Sequence, residues 1–348
     1  MPTAINRQWQ VARRPEGMVR EQDFRWAEVP LSSPREGEAL VRNLWLSFDP
    51  TQVLVMSVPF ETRPNSGGIP IGGAMRGLAV SQVLESRHPT FRPGDLIHGF
   101  SGWEDYSVTD GGGFIPAFKV SPGVAPNLAL GTLGITGLVA YFGVVDVARP
   151  QPGETFVISA AAGGVGSIAA QIAKIRGLRV IGIAGGQEKC DWLLRVAGID
   201  AAIDHRSEDV AARLDAVCPE GIDIFFDNVG GPVLDLVLAR LRRNGRIVVC
   251  GGTALYGRDP QPPGPLNYLQ LCMVNGRMEG LLARDYFERY PEAITAMLGW
   301  LGSGQLKSKE DVVVGLEHAP ATLVRLFEGA NVGKQLLKIT DPEVLPAP

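Results

Sequence analysis

Residues 159–167 read SAAAGGVGS, with Gly163 and Gly164 adjacent, Gly166 two residues on, and alanines before them. The stretch follows TFVIS, an apolar, β-branched run that reads as a buried strand. It leads into SIAAQIAKIRG, where Ile168, Ile172 and Ile175 form one helical stripe that stops at Gly177. A glycine-rich turn between a strand and a helix lets the backbone reverse sharply. It also aims the free N–H groups of the helix start at an anion, above all a pyrophosphate. The spacing Ala160-x-x-Gly163-x-x-Gly166 is that of a dinucleotide fingerprint with alanine in first place. Ala160, Gly163, Gly164, Val165 and Gly166 are therefore candidate cofactor-binding residues. Ala/Gly-rich turns also serve plain strand–helix packing, so the surroundings must decide.

Working outward, the strand–helix alternation repeats. LRVIGIAG and EKCDWLLRVAG follow, then AAIDH, a helical SEDVAARLDAVC, IDIFFDNVG, PVLDLVLARLRRNG and RIVVCGG. Apolar strands alternating with amphipathic helices predict a parallel sheet covered on both faces, a doubly wound α/β fold. Upstream of residue 122 the pattern differs. Short β-rich runs such as GEALVRNLWLSFDP and MRGLAVSQVLES alternate with turn clusters, which predicts a mostly antiparallel domain. The C-terminal VVVGLEHAPATLVRLFEGANVGKQLLKI mixes strands with a short helix and is expected to return to that first domain. The expected division is residues 1–122 with 302–348, and 123–301.

A dinucleotide held through its adenosine ribose hydroxyls needs a carboxylate at the end of the second strand. Here Ala184, Gly185 and Gly186 occupy that place. Lys189 follows, and Arg206 ends the third strand, so two cations stand ready for a ribose 2′-phosphate. The reading favours NADP over NAD, with Glu188 as the discordant neighbour.

Composition narrows the class. In 348 residues, 45% are hydrophobic and 20% charged, and the net charge of −4 gives no footprint for nucleic acid or an anionic membrane. Leu128–Val145 is uncharged but contains four glycines, and a helix packed inside a domain is expected there rather than a membrane span. The N-terminal run has no apolar segment of a secretory signal, which fits a cytoplasmic protein. The four cysteines, Cys190, Cys218, Cys250 and Cys272, lack metal-ligand spacing and read as free buried thiols.

The motifs ISAAAGGVGSIAAQIAKIRG, GGQEK, DIFFDNVGG, GRIVVCGG, PIGGAMRG, GFSGWEDYSV, LGITGLVAYFG and NVGKQLLKI occur together in order. In this the chain resembles the zinc-independent medium-chain dehydrogenases/reductases, in the prostaglandin, alkenal and curcumin reductase branch. The resemblance implies a GroES-like catalytic domain beside a Rossmann domain, NADP(H), a homodimer, and reduction of the C=C bond of α,β-unsaturated ketones and aldehydes. Zinc-dependent relatives carry a Cys in the early loop, a Gly-His-Glu and a four-cysteine lobe. This chain has SFDP and GAMRG there and no cysteine over 84–120, so no metal is expected, and His88 and His98 are read as structural or surface residues.

The resemblance further implies that Tyr256, in GGTALYGRD, holds the enone oxygen. Asn228 and Gly230 would approach the nicotinamide, Asn331 the pyrophosphate, and His205 the ribose phosphate, more strongly at acidic pH. Trp103 and Tyr106 are read as core aromatics. Thr51, Gln52 and Val53 replace the Tyr-Met-Arg of relatives, and Gly257 replaces an Asn, which bears on substrate identity. GRDPQPPGPLNY is expected to form a mobile flap. The alternatives are a quinone reductase and a weakly catalytic NADPH-binding protein.

Overall fold

The computed structural model describes residues 5–57, 68–257 and 264–344. In-out alternation in INRQWQV builds β1 (Ile5–Val11), which pairs antiparallel with β2 (Phe24–Pro30) so that Trp9 faces Trp26. A larger sheet follows from β3 (Ala39–Ser47), β4 (Arg76–Ser86), β5 (Leu96–Gly102), β6 (Tyr106–Thr109) and β7 (Phe118–Lys119), all joined antiparallel. Helix α1 spans Thr51–Ser57. The core of this unit centres on Trp103, fully buried between the rings of Phe24 and Phe48 at 5.2 and 4.9 Å. Tyr106 is half-buried at the start of β6.

The uncharged stretch 128–145 does not form one helix. It splits into the end of α2 (Pro126–Leu130), α3 (Ile135–Phe142) and part of a π-helical turn at Gly143–Ala148. The break has a steric cause: a Cβ on Gly134 would lie 2.6 Å from the Ala129 carbonyl, so the chain folds tightly back there. Among the described residues, no helix is long and apolar enough to cross a membrane.

The second unit alternates β8 (Thr155–Ile158), α4 (Gly164–Ile175), β9 (Arg179–Ala184), α5 (Gln187–Arg195), β10 (Ala201–Asp204), α6 (Val210–Val217), β11 (Ile222–Asp227), α7 (Gly231–Leu238), β12 (Leu241–Val249), α8 (Gln270–Met273), β13 (Arg277–Gly280) and α9 (Tyr290–Gly302). Its six strands are parallel in the order β10-β9-β8-β11-β12-β13. Strand order reverses between β8 and β11, so the chain leaves these neighbours in opposite directions and opens a crevice at their carboxyl ends.

One expected element is corrected. LRRNG is not the end of the α7 helix but the first half of β12. Leu241 pairs with Ile222, and a bulge with Asn244 at φ 62° takes up the extra residues before Arg246 meets Ile224. The chain then returns through β14 (Glu310–Val314), α10 (Ala319–Phe327) and β15 (Lys334–Lys338), placing β15 beside β3 and β14 outside β15. The two compact units are residues 1–134, 310–331 and 335–348, and residues 135–309 with 332–334. The division falls after Gly134 rather than after residue 122 because α2 packs on β3 and β4.

Trp103→Ala removes the largest fully buried side chain and is expected to cost about 3–5 kcal/mol. Urea unfolding should show this as a lower midpoint with an unchanged slope.

Candidate functional site

The glycine turn between β8 and α4 is set by one close approach. A Cβ on Gly166 would lie 2.2 Å from the Ala160 carbonyl oxygen and 2.9 Å from Ala161 Cα, so only glycine lets α4 start against the turn. Ala160 itself sits at φ 47°, a left-handed conformation that costs an alanine about 1–2 kcal/mol. The Ala160 carbonyl accepts the Gly163 N–H at 2.9 Å and closes the turn. Gly164 and half-buried Val165 begin α4, whose first turn holds no acidic side chain to oppose an anion.

Residues 332–334 dock on this turn. The Gly333 N–H donates to the Ala162 carbonyl at 2.8 Å, and Gly163 and Gly333 form a parallel bridge. Gly333 has φ 81°, and a Cβ there would lie 2.1 Å from the Lys309 carbonyl. Lys334 is buried, with its Cδ 3.0 Å from where a Gly164 Cβ would stand. Asn331, also buried, precedes this segment by one residue. Gly333 and Lys334 were visible as the Gly-Lys of NVGK, yet nothing in the local sequence tied them to a turn so far upstream.

At the end of β9 the absent carboxylate leaves room that two nitrogen-bearing side chains enter. A Cβ on Gly185 would lie 2.8 Å from His205 Nε2 and 3.0 Å from Arg206 Nε. Both side chains are exposed, Lys189 is half-buried on the first turn of α5, and Glu188 is exposed. An acid is present nearby, but it faces the backbone. Asp204 accepts the N–H groups of Gly186 at 2.7 Å and Arg206 at 3.0 Å and the Ser207 hydroxyl at 2.8 Å. Those donors, the Gly186 N–H first, hold its carboxyl below the usual range. Asp204 thus shapes the Gly185–Gly186 turn without offering its charge to a ribose, a role that sequence reading missed.

The crevice between β8 and β11 is organised by a second buried carboxylate that the sequence did not single out. Asp227 Oδ1 accepts from the Ser159 hydroxyl at 2.9 Å and from the N–H groups of Val229 at 3.0 Å and Gly230 at 2.9 Å. Burial raises its pKa above the usual value, against these three donors. Asn228 donates its backbone N–H to Ser159 Oγ at 2.8 Å and its side-chain amide to the Ser159 carbonyl at 2.7 Å. The Asp227 carbonyl accepts from Cys250 and Gly251, and the Val229 carbonyl accepts from Ala254. The ends of β8, β11 and β12 are therefore tied together, with Gly230 held at φ 70°.

The turn after β12 carries Tyr256, half-buried, whose hydroxyl accepts a long 3.4 Å hydrogen bond from the Gly252 N–H. Burial pushes the neighbouring Cys250 thiol up to about 12, so it stays protonated near neutrality and supplies no nucleophile. Cys190 and Cys218 are likewise raised to about 11, while Cys272 is exposed rather than buried as expected. Of the expected flap, residues 258–263 lie outside the described residues.

The remaining candidates serve the first unit. Gln52 is buried, and its amide donates to the carbonyls of Ser47 and Arg76 at 3.3 and 3.2 Å, while Val53 is in the core and Thr51 is exposed. His88 Nδ1 accepts from the N–H of Thr90 at 3.1 Å, and His98 is buried with its ring stacked on Phe118. Among the described residues, no three His, Cys, Asp or Glu side chains gather as metal ligands.

Asp227→Ala strands the Val229 and Gly230 N–H groups, and is expected to cost about 1–3 kcal/mol for each one left unsatisfied. Asp227→Asn keeps an oxygen in place and should recover most of that loss in urea unfolding.

Residues 7–117 match a family model described as the N-terminal domain of oxidoreductase, and residues 164–299 match one described as zinc-binding dehydrogenase. The NADPH-dependent curcumin reductase of Escherichia coli is 39% identical over 340 residues, covering 96% of this chain and 97% of that protein. The NADP(+)-dependent 2-alkenal reductase of Nicotiana tabacum is 39% identical over 305 residues, covering 87% and 88%. The crystal structure of CurA from Vibrio vulnificus in complex with NADPH matches with a TM-score of 0.89 at 37% identity, over 97% of this chain and 100% of that one. With this identity sustained along nearly its whole length, the chain belongs to the medium-chain dehydrogenases/reductases, in the branch of the curcumin, alkenal and prostaglandin reductases.

Proposed function

We propose that this protein reduces the C=C bond of α,β-unsaturated ketones and aldehydes with NADPH and without a metal. The observation that carries the reading is a pair of features at the carboxyl ends of one parallel sheet. His205 and Arg206 converge on the carboxylate-free Gly185, and the Tyr256 turn is anchored to Asn228 and Val229 beside the reversal in strand order. The curcumin and alkenal reductases that match along the chain support it.

The residues fit the cofactor. The turn from Ala160 to Gly166, flanked by the segment that follows Asn331 and carries Gly333 and Lys334, would hold the pyrophosphate on the N–H groups of α4. His205, Arg206 and Lys189 would receive the 2′-phosphate, which a carboxylate at Gly185 would repel. Asn228 and Gly230 would border the nicotinamide. When bound, NADPH supplies the hydride that goes to the substrate β-carbon. Because Tyr256 Oη accepts the Gly252 N–H, its own proton remains available to the substrate oxygen, where negative charge develops as the enolate forms. Solvent then protonates the α-carbon, so the chain needs no strong acid.

The reading includes a homodimer built on the open edge of the six-stranded sheet. β13 ends that sheet, and Leu266, Leu269 and Met273 nearby in the chain are 81%, 65% and 79% exposed. Met273→Asp is expected to shift the protein toward monomer in sedimentation; unchanged sedimentation would contradict this edge as the interface.

The direct test is NADPH oxidation with an aliphatic enal, an aryl enone and a quinone, with products identified by mass. Saturated carbonyl products are expected, and turnover of the quinone alone would contradict the proposal. Tyr256→Phe should lower kcat about 10²- to 10³-fold, the usual loss for one oxyanion donor, with NADPH affinity unchanged. Arg206→Ala should weaken NADPH about 10-fold or more and leave NADH unaffected, as removal of a charged hydrogen bond to phosphate predicts.

A further inference from the structure

A chain of polar side chains runs through the first unit. Asn43 on β3 fixes its polarity. Its amide nitrogen faces the carbonyl oxygens of Gly102 at 3.2 Å and Glu104 at 2.8 Å, which only accept, so its Oδ1 must itself be the acceptor for Ser81 and Ser101, each at 2.7 Å. The Ser101 proton is thereby committed to Asn43. Ser101 Oγ also lies 2.8 Å from Ser107 Oγ, and Ser107 Oγ lies 2.6 Å from Glu104 Oε1, with the Asn43 amide at 3.1 Å and the Gly102 N–H at 3.3 Å as its remaining, longer contacts. Three close O···O contacts thus run from Asn43 through Ser101 and Ser107 to Glu104. Two hydroxyls supply two protons.

We infer that Glu104 is folded as a neutral carboxylic acid, and that its proton is the third one. Glu104 donates to Ser107, Ser107 donates to Ser101, and Ser101 donates to Asn43. The other carboxyl oxygen, Oε2, accepts the side-chain amide of Asn6 on β1 at 2.9 Å, as the carbonyl oxygen of an acid does. With Glu104 ionised, one contact of 2.8 Å or less would set two lone pairs against each other with no hydrogen between them.

The surrounding charges leave this assignment standing. Arg76 on β4 favours the carboxylate and Asp105 opposes it, while Asp105 is itself held by a two-pronged pair with Arg7 at 2.6 and 3.0 Å. Burial outweighs them and moves the Glu104 carboxyl above its ordinary range. Glu104 follows Trp103, whose backbone N–H and C=O bond to Met75 and Trp9, so the acid sits directly beside the aromatic core anchor. Its proton makes the first unit sensitive to pH. The stabilisation is complete below the ordinary glutamate pKa and is lost as pH rises through the raised, folded value.

The test compares wild type, Glu104→Gln and Ser101→Ala as full-length chains in urea unfolding between pH 5 and 8. A glutamine amide donates where the carboxylic acid would, so Glu104→Gln is expected to fold and to match or exceed wild type at pH 7. Relative to that variant, the wild-type unfolding constant should rise about tenfold per pH unit until the folded pKa is passed. Ser101→Ala frees Ser107 to donate to a carboxylate and should shrink that drift. An infrared difference spectrum between wild type and Glu104→Gln at pH 7 should contain the protonated-carboxyl carbonyl band. Carboxylate bands in its place, a flat stability ratio, or a Glu104→Gln deficit that fades at low pH would each overturn the inference.

Discussion

The Asp227 carboxylate is the constraint on which the candidate site rests. Three donors meet one oxygen, from the end of β8 and from the turn after β11, while the same residue's carbonyl collects two N–H groups after β12. A parallel sheet offers no hairpins at its carboxyl ends, so the loops that leave it diverge unless something ties them. A buried acceptor that takes three donors on one oxygen does this with little conformational freedom left over. Gly230 is held at positive φ by that tie, and the Tyr256 turn is held in place by the Asn228 and Val229 carbonyls.

The second carboxylate, Asp204, solves the opposite problem. A site meant for a phosphate needs positive charge on its surface and a shaped backbone beneath. Asp204 shapes the backbone at Gly186 and Arg206, and its charge is spent on N–H groups. His205 and Arg206 are then presented outward over Gly185. One residue later, in the place of His205, the same acid would face Gly185 and repel a 2′-phosphate.

Legibility in the sequence followed the range of the interactions. The glycine turn and the strand–helix alternation were readable because period, turn residue and apolar run all lie within about twenty residues of one another. LRRNG reads as helix because Leu and Arg favour it locally, whereas pairing with Ile222 and the Val274 carbonyl makes it strand. The uncharged stretch gave no sign of its break, since Gly134 acts through contact with Ala129 rather than through composition. Asp227 and Ser159 stood in the quoted motifs, but their pairing spans 68 positions and appears only once β8 and β11 are neighbours. Gly333 is the same case, recognisable by its contact with Ala162 and by the conformation it adopts.

The measurement that tests the central claim most directly follows the hydride itself. NADPH carrying deuterium at nicotinamide C4, on each face in turn, is used with an aryl enone, and the product is read by NMR. The account predicts deuterium at the β-carbon from one face only, with a solvent-derived hydrogen at the α-carbon. Deuterium at the carbonyl carbon, giving an allylic alcohol, or none in the product, would contradict it.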